Sequence, residues 1–170
     1  MKKKPSQNIQ ILLSSSKTGF FTQFCFFLFV LFVFVFPSIF NTQGFALAKK
    51  PKILFDTLYF FSNILIIAMF EELIYRVYIP FQLKTLYNFF MIVKKNKIET
   101  IVFSLISNIF FALAHSYLGI YNVIFAFIMG NIFSLIYEII KLKKNGYYAF
   151  FAVSLFHFFY NAIAFAILIA

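Results

Sequence analysis

Five runs of apolar residues dominate this chain: Phe20–Phe40, Ile53–Tyr78, Ile101–Ala114, Ile120–Ile140 and Tyr147–Ile169. Most of them approach or exceed the roughly 20 residues that carry a helix across a bilayer. In hydrocarbon the backbone must satisfy its own hydrogen bonds, which leaves helices as the natural answer for runs of this kind. The expected fold is therefore all-α, a polytopic membrane bundle of about five transmembrane segments. Only 12% of the residues are charged, against about 25% in an ordinary soluble domain.

The net charge of +10 does not point to nucleic acid, because the lysines fall in short clusters between the apolar runs. Lys2–Lys4, Lys49–Lys52, Lys94–Lys97 and Lys141–Lys144 are placed to anchor helix ends at an anionic membrane surface. An N-terminus in the cytoplasm keeps three of these four clusters inside, so a multi-pass protein of the cell membrane with that orientation is expected. Residues 1–19 form a basic N-terminal segment, and residues 20–48 a first transmembrane helix. The second reading of 20–48 is a signal-like segment, since "ALA" at Ala46–Ala48 resembles a cleavage site. Residues 53–170 would then be the functional core. Cys25 is the sole cysteine, which rules out an internal disulfide.

Against this apolar background a few polar residues stand out. Glu71 and Glu72 are adjacent within one apolar run, and His115 and His157 lie in or beside two others. A charge at the centre of a membrane helix costs on the order of 2.5–3.5 kcal/mol, so such groups usually face a polar cavity or one another. Glu72 and Arg76 are four residues apart and share a helix face, as an ion pair would require. Glu71 is turned away by about 100° and is left to serve another purpose, such as a general base. The bland alternative is a structural pairing of these groups near the headgroups. Four-residue spacing recurs in "FALAH", Phe111 to His115, and in "HFFYN", His157 to Asn161. Three segments thus each contribute a polar cluster, and facing side chains of this kind build sites inside bundles. Glu71 reaches the level of His115 only if its helix runs on past Arg76 and through Pro80 into residues 81–93, which is the expected course.

Taken in order, EExxxR, FxxxH and HxxxN on successive helices resemble the CAAX protease and bacteriocin-processing (CPBP, or Abi) family of intramembrane endopeptidases. Here they read "EELIYR", "FALAH" and "HFFYN". The resemblance implies peptide hydrolysis of the glutamic type. Glu71 and His115 would activate water, His157 and Asn161 would stabilise the oxyanion, and Glu72 and Arg76 would support them. It implies a membrane protein or a lipidated peptide as substrate, the lipid bilayer as surroundings, no nucleic acid and no cofactor. Val77 stands where the family commonly has glycine. Two histidines and a carboxylate also admit zinc as an alternative. From another class, a bacteriocin self-immunity protein acting by binding without catalysis would retain protection in Glu71→Ala and His115→Ala. A proton relay or small transporter would show inverted repeats or broken helices, and the sequence has neither.

Overall fold

The computed structural model describes residues 7–32, 54–90 and 97–169, and its regular elements are all helical. The helices are α1 (Gln7–Val30), α2 (Leu54–Glu72), α3 (Ile79–Phe90), α4 (Lys97–Leu113), α5 (Ile120–Lys143) and α6 (Gly146–Ile169). A π-helical turn, Leu73–Tyr78, joins α2 to α3, and a 3₁₀ turn, Ser116–Leu118, follows α4. The "ALA" segment lies outside the described residues.

Among the described residues three helical stretches are long and apolar enough to cross a membrane: Asp56–Phe89, Ile120–Lys143 and Gly146–Phe165. Gly19–Val30 and Ile98–Leu113 are shorter apolar helices. The fold is the all-α membrane bundle read from the sequence, and the helix bearing the two glutamates does continue past Arg76 and Pro80.

That continuation has a specific chemical cause. In the π turn the N–H of Ile79 donates to Ile74 O, five residues back. The same register would pair Tyr75 O with residue 80, which is proline and has no N–H. Ser107 of α4 supplies the missing donor, its hydroxyl reaching Tyr75 O at 2.5 Å. The wide turn thus carries the chain through a proline while one freed carbonyl locks α4 onto the helix.

Because α2 and α3 are two halves of one long helix, the bundle closes around it. α2 packs on α6, α6 on α5, α5 on α4, and α4 on α3, with the π turn touching both α4 and α6; α1 lies outside against α3. Phe20 of α1 stacks on Phe89, ring centroids 3.6 Å apart. Asn145 caps α6, its Oδ1 accepting from Tyr148 N, which satisfies one of the orphan donors of a helix start. Gly119, at φ 96°, takes a backbone conformation that side chains resist and lets the chain turn sharply into α5. At Gly130 a Cβ would sit 3.1 Å from the Phe111 ring, so this glycine permits the close approach of α5 to α4.

The bundle's interior holds polar groups among its apolar core. Glu72, Ser107 and Asn108 are fully buried, while large apolar side chains such as Ile66, Ile101, Phe125 and Leu135 face outward. Lipid rather than water is the solvent for that outer surface, and the polar interior is where a membrane bundle concentrates function.

Candidate active site

His157 is the centre of the site. It lies on α6, almost fully buried, with its two ring nitrogens facing the two glutamates of α2. Nδ1 is 2.8 Å from Glu72 Oε1. A carboxylate only accepts, so Nδ1 is the donor in that bond. Nε2 lies 3.5 Å from Glu71 Oε2, longer than a strong direct hydrogen bond. Adjacent residues on one helix reach opposite edges of one imidazole because their side chains leave the helix about 100° apart.

Glu72 is held twice. Its Oε2 is 3.1 Å from Arg76 Nε one turn on, both side chains being only 1% exposed. The approach is off-line for a hydrogen bond, so charge carries the contact. Glu71 differs: its side chain is 25% exposed. Burial therefore separates the two glutamates in the way the sequence spacing suggested, although both converge on His157.

His115 sits just beyond the end of α4. Its Nδ1 is 2.8 Å from Phe111 O, a carbonyl that only accepts, so Nδ1–H is the donor in that bond. Glu71 and His115, expected to be partners, make no hydrogen bond or ion pair with each other among the described residues. The Phe111 ring joins the two histidines instead. His115 lies 4.7 Å from it, His157 5.9 Å, and the Arg76 guanidinium 4.9 Å over its face. Phe133 of α5 closes the far side, 4.9 Å from the His157 ring. Asn161, one turn beyond His157, is half-buried.

Several residues of the site went unnoticed in the sequence. Asn108 is fully buried; its Oδ1 accepts from Arg76 Nη1 at 2.9 Å and from Ser134 Oγ at 3.1 Å. Its Nδ2 donates to Asn131 Oδ1. A signal existed: Asn108 lies seven residues before His115, two turns along one face of an apolar run. Tyr117, in the 3₁₀ turn, stacks beside His115 at 6.4 Å. Burial first, and then the Glu71 carboxylate, push its phenol above the usual range, so the hydroxyl stays a neutral donor near Glu71. Among the described residues no three His, Cys, Asp or Glu side chains are grouped as metal ligands would be.

The family model for the type II CAAX prenyl endopeptidase Rce1-like proteins matches residues 53–163. The chain belongs to the Rce1-like family. No curated protein and no solved structure matches it. The matched span runs from the start of α2 to the turn after Asn161, and so contains every residue of the site. Intramembrane endopeptidase activity of the CAAX type is the general activity of the Rce1-like family. Val77, at the position where a glycine is common in the wider family, packs against the Phe133, Tyr137, Ala149 and Val153 cluster.

Proposed function

We propose that this chain hydrolyses a peptide bond in a membrane-associated protein or lipidated peptide, with Glu71 as the base. The observation that carries the reading is the pair of glutamates on opposite nitrogens of one buried histidine, one sealed by Arg76 and the other partly exposed. Glu71 takes a proton from a water as its oxygen attacks the scissile carbonyl carbon. His115, whose Nε2 is not engaged by the Phe111 carbonyl, orients that water. Negative charge then develops on the carbonyl oxygen, where preformed donors have their largest effect.

His157 Nε2–H and the Asn161 amide serve as those donors. With the ring doubly protonated, Glu71, Glu72, Arg76 and His157 sum to zero charge, the arrangement an apolar interior tolerates best. Collapse of the tetrahedral intermediate breaks the C–N bond, and Glu71 returns its proton to the leaving amine. Glu72 and Arg76 do no chemistry in this scheme; they orient the ring, as a buried carboxylate does in hydrolytic triads. The glutamic type is favoured over a metal-dependent one because His157 and Arg76 already occupy both Glu72 oxygens, and a guanidinium repels a dication. The N-terminus is assigned to the cytoplasm, on the lysine distribution.

The test uses the purified full chain in lipid nanodiscs with a farnesylated peptide ending in a CAAX sequence and its unlipidated counterpart. Cleavage after the lipidated cysteine that survives exhaustive chelation is the expected outcome. Activity that vanishes with chelation and returns with zinc would replace the glutamic reading by the metal one.

A further inference from the structure

A cavity of about 250 Å³ lies beside the site, between the π turn, α3, α4 and α5. It is distinct in character from the His157 centre, with which it shares only Arg76. Its walls are rich in donors. Arg76 forms part of the lining, and among the described residues its buried Nη2 has no hydrogen-bond partner. Lys84 of α3 and Lys141 of α5 add two ammonium groups, and Thr100, Ser104 and Tyr137 add hydroxyls. Lys84 makes no ion pair among the described residues. The one carboxylate of the lining, Glu138, takes a single contact from Lys141 at 2.9 Å, and that pair is partly exposed, hence weak.

Three cations, of which Arg76 also faces Glu72 and Lys141 also faces Glu138, and three hydroxyls surround one small space. This setting suits a compact oxyanion accepting from several directions, as a phosphate does. Phe81 completes the wall and is also turned outward, more than half exposed. The cavity therefore adjoins the lipid-facing surface, where an acyl chain continues from a headgroup. Basic pockets between transmembrane helices hold anionic headgroups by this combination.

We propose that this cavity is a phosphate site filled by the headgroup of an anionic phospholipid. The lipid ties α3, α4 and α5 together beside Arg76 and so couples the surrounding membrane to the site. The inference stands apart from the proteolytic reading, and its test reads binding alone.

The full chain in neutral detergent is melted with dioctanoyl phosphatidylglycerol, dioctanoyl phosphatidylcholine or inorganic phosphate. Phosphatidylglycerol should raise the midpoint saturably, and phosphatidylcholine should not. In Lys84→Gln/Lys141→Gln the half-saturating concentration should rise about tenfold or more. Lys143→Gln/Lys144→Gln removes the same charge outside the cavity lining and should leave that concentration unchanged. Lys84→Gln alone, which spares the Glu138–Lys141 pair, should shift it in the same direction and serves if the double variant does not fold. Equal effects of the two double variants, or equal shifts with the two lipids, would overturn the proposal. Inorganic phosphate reproducing the whole shift at the same concentration would overturn the lipid as its source.

Discussion

Asn108 meets its partners in three directions, accepting from Arg76 and Ser134 and donating to Asn131. It fixes the guanidinium, the guanidinium fixes Glu72, and Glu72 fixes the His157 ring. Asn108→Ala breaks the first link and leaves Arg76 Nη1 buried without a partner. A hydrogen bond to a charged group contributes about 1.5–3 kcal/mol, and a stability loss of that order is expected from melting in detergent. The cleavage rate should fall with it, because His157 loses its fixed orientation. Asn108→Asp keeps the acceptor and should recover part of the stability lost in Asn108→Ala, though it cannot donate to Asn131. Sequence spacing identified the Glu72–Arg76 pair, because a four-residue separation on one helix is enough to define it. It did not reveal Asn108 or the convergence of both glutamates on His157, since contacts between helices depend on their rotation and depth.

The joint between α2 and α3 offers a sharper test at the level of elements. Tyr75 O is served by Ser107 in place of the N–H that Pro80 lacks. Ser107→Ala leaves a buried carbonyl unsatisfied and should cost about 1–3 kcal/mol. Pro80→Ala restores a backbone donor, so Ser107→Ala should cost less in that background. A double-mutant cycle on melting free energies measures the difference, and simple additivity would contradict the proposed substitution of donors. On α5, Gly130→Ala places a methyl 3.1 Å from the Phe111 ring. Overpacking of this kind costs about 1–3 kcal/mol, and the displaced ring is the one both histidines lie against. Cleavage should therefore drop more than the loss of stability alone explains.

For the molecule as a whole, the apolar runs and lysine clusters made the membrane bundle legible, because lipid imposes length and composition on every span. The passage of the helix through Pro80 was also legible, from the requirement that Glu71 and His115 reach one level. The π turn that accomplishes it was not, as it depends on Ser107 arriving from another helix. The basic cavity was likewise hidden, its residues being distributed over α3, α4, α5 and the π turn. What the assembled bundle adds is a difference between adjacent glutamates, one sealed and one partly exposed, on which the proposed division of labour rests. Cleavage and melting of Glu71→Gln and Glu72→Gln, measured side by side, test that division most directly. Glu71→Gln should lose about 10²–10⁴ in rate with its melting unchanged. Glu72→Gln should lose both rate and about 3–5 kcal/mol of stability, because Arg76 is left buried and uncompensated. Cleavage by Glu71→Gln at the rate of the unaltered protein would contradict the account.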